Sequence, residues 1–119
     1  MVRVTGFDHL VLIVADVEKS LDWYCGFLGL EEVRVDEWRK GEAPFPSARV
    51  SEGTIIDFVP GPGEPDRSGR GNVDHICLVV EPTDLSELGE GGPRFGARGI
   101  GTSVYIDDPD GNVVELRFY

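Results

Sequence analysis

The sequence predicts an α+β chain assembled from two copies of one β-α-β-β-β unit, and three observations lead there. The run FDHLVLIV at residues 7–14 returns as VDHICLVV at residues 73–80, with the same Asp-His pair at the head of each. The runs TIIDFV and NVVELRF, late in the two halves, place Asp57 and Glu115 at matching points. Between these ends each half offers a helical pattern, weaker in the second, and then strands closing in a hairpin. Units this small cannot each bury a core, so they are expected to pack side by side. The 119 residues are read as one domain, with module one at about 1–60, a connector at 61–72 and module two at about 73–119.

The elements follow in order. FDHLVLIV is too apolar for a surface strand and short enough for a buried one. In DVEKSLDWYCGFLGL, Asp16 suits an N-cap, and Val17, Leu21, Tyr24 and Leu28 trace the stripe of an amphipathic helix. Gly29 suits the left-handed residue that stops it. EEVRVDEW alternates and reads as a strand, with Val33 and Val35 on one face. RKGEAPFPS is a loop whose Phe45, between two prolines, makes it a candidate lid or specificity wall. ARV, the turn SEG and TIIDFVP form a hairpin, and PGPGEPDRSGRGN is the connector. In the second half DLSEL supports only a weak helical segment, and GEGGPRFGARG is too irregular for a long helix. GTSVYIDDPDGNVVELRFY reads as a closing hairpin that turns at DPDG, where Pro109 sets φ and Gly111 takes the unusual conformation.

Composition narrows the partners. Twenty-two acidic residues against 11 basic ones give a net charge of −11, which repels phosphate backbones and anionic membranes. Nucleic acid and membrane are therefore excluded as expected partners. No apolar stretch reaches 18 residues, and the first residues show no basic and hydrophobic regions of a secretory signal. Cys25 and Cys77 stand in no CxxC pattern and make no disulfide framework, so a cytoplasmic location is expected.

The duplication also duplicates chemistry. His9 and His75 open the two apolar runs, and Asp57 and Glu115 sit on the last strand of each half. An isolated histidine among apolar neighbours is ordinarily a satisfied core residue, but packing does not require imidazole twice at one equivalent place. By strand alternation His75 shares a face with Val73, Cys77 and Val79, and His9 with Phe7, Val11 and Ile13, while Asp74 falls on the opposite face. His9, His75, Asp57 and Glu115 are thus candidate ligands of one divalent ion, for which Fe, Mn, Ni, Co and Zn all suit imidazole and carboxylate. Trp23, Trp38 and Tyr105 are candidates to line a cleft for a flat substrate.

The segments DHLVLIVADVEKSLDWYCGFLGLE, DHICLVV and DDPDGNVVEL resemble the vicinal oxygen chelate superfamily of glyoxalase, bleomycin resistance and dioxygenase proteins. The resemblance spans nearly the whole chain and is weakest over residues 81–100. It implies two βαβββ modules forming a curved mixed sheet around a cleft, usually in a homodimer. It also implies that His9, His75 and Glu115 hold a metal, with Asp57 where glyoxalase-type lyases carry glutamate. Asp57 is then either a fourth ligand or, through water, the general base, and Asp57 and Glu115 are the candidate catalytic carboxylates. The implied activity is that of a lyase or isomerase on a small substrate whose adjacent oxygens chelate the metal. A ring-cleaving extradiol dioxygenase and a drug-binding resistance protein are the alternatives. Thiol transferases of fosfomycin resistance fit less well, because their catalytic threonine corresponds to Val11.

Overall fold

The computed structural model describes residues 2–64, 71–107 and 113–119. Eight strands form one curved mixed sheet with few helices. They are β1 (Val4–Val14), β2 (Glu31–Val33), β3 (Ser47–Ser51), β4 (Thr54–Pro60), β5 (Val73–Val80), β6 (Gly91–Gly96), β7 (Gly99–Asp107) and β8 (Val113–Phe118). Their order is β2-β3-β4-β1-β5-β8-β7-β6. At the centre β1 and β5 run antiparallel. Each then has a parallel outer neighbour, β4 beside β1 and β8 beside β5.

The helix after β1 is shorter and wider than its stripe predicts. Asp16 caps α1 (Val17–Leu21), its carboxylate accepting from the Lys19 N–H at 3.1 Å. The chain then widens into a π-helical turn over Asp22–Phe27 before Gly29, at φ 77°, ends it. A wider turn advances the phase of every later residue. Val17 and Leu21 are therefore buried, while Leu28, expected on the same stripe, is half exposed. The strand expected over EEVRVDEW is also corrected. Only Glu31–Val33 pairs, at the sheet edge, and Arg34 turns the chain with φ 58° into α2 (Val35–Arg39). Helical placement carries Val35 into a core with Val17, Leu21, Ala48 and Phe58.

In the second half no helix forms around DLSEL. Residues 81–90 are turns and irregular backbone, with Leu85 buried against Val80, Val104 and Leu116. The glycine-rich segment that follows is an edge strand, β6. Its glycines serve close approach, since a Cβ on Gly96 would run into Arg117 Nη1 and Tyr119 Oη. Gly96→Ala is expected to cost about 1–3 kcal/mol by overpacking. Urea unfolding measures this, and an unmoved midpoint would contradict the packing. The DPDG turn at residues 108–111 lies outside the described residues, as do residues 65–70 of the connector.

One sheet face, with Leu12, Val14, Ile56 and Phe58, packs under α1, the π-helical turn and α2. The other carries the polar groups that the sequence singles out.

Candidate metal centre

Register brings these groups together. Across the central strands His9 pairs with Cys77 and Val11 with His75. On the outer neighbours Asp57 pairs with Val11, and Glu115 with Cys77. Two rows of three residues, Asp57–Val11–His75 and His9–Cys77–Glu115, therefore lie side by side on one face.

The alternation of strands between β1 and β5 is broken three times, near Thr5 and once at each Asp-His pair. Phe7 pairs with Leu78 and His9 with Cys77, leaving Asp8 as an extra residue in β1. Val11 pairs with His75 and Leu12 with Val73, leaving Asp74 as an extra residue in β5. Such bulges re-aim a side chain. Each aspartate turns back to its own neighbour, His9 Nδ1 to Asp8 Oδ2 at 2.7 Å and His75 Nδ1 to Asp74 Oδ2 at 2.6 Å. This corrects the expectation that Asp74 faces away from His75.

Both carboxylates accept from Nδ1–H, so each neutral imidazole keeps its lone pair on Nε2. The Nε2 atoms lie 3.3 Å apart. Glu115 Oε1 is 3.3 Å from that of His9 and 2.9 Å from that of His75. Three lone pairs converging at this distance repel one another unless a proton or a cation lies among them. The spacing fits a cation. Ligands about 2.1 Å from one ion sit ~3.0 Å apart at right angles and ~3.4 Å apart in a tetrahedron.

The support around this triangle was not assigned from sequence. Glu115 Oε2 accepts from Ser103 Oγ at 2.7 Å and Arg117 Nη2 at 2.7 Å. Asp8 Oδ1 accepts from the Tyr119 hydroxyl at 2.6 Å, and Asp8 Oδ2 from the Ala97 N–H at 3.0 Å. Ser103 on β7, Ala97 just after β6 and Tyr119 at the chain end lie 12 to 111 residues from the carboxylates they support, too far for any spacing to announce. Arg117, by contrast, follows Glu115 by two residues on β8 and shares its face. Only the repeated Asp-His pair was visible in advance. Asp8, His9 and Cys77 also bring donor atoms within 4.8 Å of one another, but both oxygens of Asp8 are already engaged.

Asp57 stands slightly apart. It lies outside the group His9, His75 and Glu115, whose donor atoms are all within 4.8 Å. Its Oδ2 is 3.8 Å from His9 Nε2, while its Oδ1 accepts from Ser47 Oγ at 2.5 Å and lies 3.8 Å from Arg34 Nη2. Ser47 is directly opposite it on β3.

The electrostatics divide these groups. Burial works against ionisation of Glu115, but the hydrogen bonds from His75, His9, Arg117 and Ser103 outweigh it and hold this carboxyl far below the usual range. Burial of Asp57 instead prevails over His9, Ser47 and Arg34, and its pKa rises. For His9 burial is outweighed by Asp8, Cys77, Glu115 and Asp57, and the pKa is pushed up to about 12. His75 is likewise raised, Glu115 and Asp74 overcoming burial.

The triangle opens into a cavity of about 510 Å³ walled by Val11, Phe45, Val59, Phe95, Ile100 and Tyr105. Phe45 and Pro44 do line it, and Tyr105 packs edge-on to His75 at 5.4 Å between ring centroids. The two tryptophans do not. Trp38 packs against the core under the sheet, and Trp23 is half exposed beside Phe27.

Fold and sequence define the class. Residues 6–116 match the Glyoxalase/Bleomycin resistance protein/Dioxygenase superfamily, and the chain belongs to it. It is 31% identical to a probable lactoylglutathione lyase of Synechocystis, covering 91% of each chain. It is 30% identical to virulence protein STM3117 of Salmonella typhimurium, over 98% of this chain and 85% of that one. Among solved structures, the Mn(II)-bound glyoxalase of Novosphingobium aromaticivorans matches in fold with a TM-score of 0.64 at 17% identity. That match covers 99% of this chain and 40% of the other. A catechol 2,3-dioxygenase follows the same fold at 0.59 and 19% identity, over 98% of this chain and 42% of that one. No helix among the described residues is long and apolar enough to cross a membrane.

Proposed function

We propose that the protein is a metal-dependent enzyme acting on a small molecule with two adjacent oxygens, by a lyase or isomerase reaction. His9, His75 and Glu115 hold a divalent ion, and the carrying observation is their convergence at 2.9–3.3 Å with both Nδ1 atoms engaged. The Mn(II)-bound glyoxalase of the same fold is in keeping with it. A cation there supplies Lewis-acid chemistry to adjacent oxygens of a substrate. Asp8 and Asp74 keep the imidazoles oriented, as outer partners of metal-binding histidines do. Asp57 is set back from the triangle, and burial raises its pKa, which suits a general base taking a proton beside a carbonyl. The apolar walls exclude water from that step. The same reading treats the chain as one domain of two modules, about 1–60 and 73–119, supported by the mirrored pairings on either side of β1 and β5.

Protein loaded with Mn(II), Co(II), Ni(II) or Fe(II) is expected to hold one ion per chain by elemental analysis. Asp57→Asn should retain that ion and lose roughly 10²- to 10⁴-fold in turnover of a hemithioacetal or keto substrate. Failure to bind any of the four ions would overturn the proposal. A second reading rests on the same setback of Asp57. Two histidines and one carboxylate with open positions form the set used by non-haem iron oxygenases. Catechol turnover that needs both Fe(II) and oxygen would decide for it.

A further inference from the structure

Arg94 is the one arginine among the described residues that line the cavity, whose other charged groups are Asp57, Asp74, Glu115 and the two imidazoles. It makes no ion pair among the described residues. Its Nη1 donates to the carbonyl of its neighbour Pro93, at 2.8 Å, and the guanidinium also acts on the Tyr105 hydroxyl. In a cavity whose other charged groups are carboxylates and imidazoles, it is the one guanidinium placed to meet an anionic ligand. Exposure on edge strand β6 leaves the remaining N–H groups of its fork open to a ligand.

Its position sets the spacing. The Arg94 guanidinium carbon is 5.9 Å from the centre of the Tyr105 ring, and that ring is 5.4 Å from the His75 ring. One aromatic side chain therefore separates the cation from the metal-binding triangle. Phe45, Phe95 and Ile100 provide apolar surface around this interval.

We propose that Arg94 selects substrates bearing a carboxylate, separated from the chelating oxygens by a short apolar body. The inference rests on the metal-centre reading above and adds a second anchor to it. Against a protein of net charge −11, which repels anions in general, a single forked donor supplies local attraction and orientation together. Oriented this way, the oxygens at the far end of the molecule meet the triangle in one pose.

The test is binding by calorimetry to the Mn(II)-loaded protein under anaerobic conditions. The probes are catechol, 2,3-dihydroxybenzoate and 3,4-dihydroxybenzoate. The wild type is expected to bind one of the two acids roughly 10- to 100-fold tighter than catechol, the range of a hydrogen bond to a charged group. Arg94→Gln should collapse that preference to near parity, and Arg94→Lys should restore part of it. Manganese content, measured on every sample, serves as the folding control. Equal binding of catechol and both acids by a manganese-loaded wild type, or a preference that survives Arg94→Gln, would overturn the proposal and leave the metal centre standing. Protein that takes up no manganese would overturn the metal-centre reading and this one with it.

Discussion

His75→Ala is expected to abolish stoichiometric binding of a divalent ion. The substitution removes one corner of the triangle, and with it the 2.9 Å contact to Glu115. Asp74→Asn, which leaves the ligand but loosens its orientation, should weaken binding by only about 10- to 100-fold. Titration calorimetry orders the two variants. Equal, small effects of both would mean that the imidazole is structural. The wild-type affinity should also rise with pH. With its pKa pushed up to about 12, His9 is an imidazolium in the metal-free protein near neutrality, so an entering ion must displace a proton. Repeating the titration in buffers of different ionisation enthalpy counts the protons released.

The second large effect belongs to Arg117, a fully buried guanidinium under the site. It donates to Glu115 Oε2, to the Phe95 carbonyl at 2.7 Å and to the Tyr119 hydroxyl at 3.1 Å. Arg117→Met keeps much of the volume but strips the buried Glu115 Oε2 of its guanidinium partner, leaving the imidazoles at Oε1 to balance the charge. A loss of about 3–5 kcal/mol is expected in the metal-free protein, the usual cost of breaking a buried pair from one side. The sign with pH follows from Glu115. Its carboxyl is depressed in the folded state, so its stabilising contribution is present above the ordinary value of 4.5 and fades as pH falls towards the folded value. The gap between variant and wild type should therefore be widest near neutrality and shrink in acid. Denaturant unfolding at pH 7 and pH 4 measures both. A variant as stable as the wild type at pH 7 would show that Glu115 needs no guanidinium.

Much of the architecture was legible because it rests on local pattern. The apolar runs at residues 7–14 and 73–80 are strands, and Asp16 and Gly29 bracket the first helical segment as their chemistry predicts. The misreadings occur where tertiary contact overrides period. Alternation in EEVRVDEW suggested a longer strand, but β2 lies at the sheet edge, and burying Val35 favoured a bend at Arg34 and a short helix. The stripe ending at Leu28 assumed 3.6 residues per turn, which the π-helical turn does not keep.

The sequence by itself determined that four ligand-type side chains would stand at equivalent points of two similar halves, because a repeated apolar run sets strand, phase and side-chain face together. Only the tertiary structure decided which of them converge. Strand register places His9, His75 and Glu115 within one coordination distance and sets Asp57 back against Ser47. The bulges at Asp8 and Asp74 are decided there as well, since an unpaired residue is defined only by the strand beside it. For that reason the partner of each histidine is its own chain neighbour, the residue that simple alternation places on the far side of the sheet.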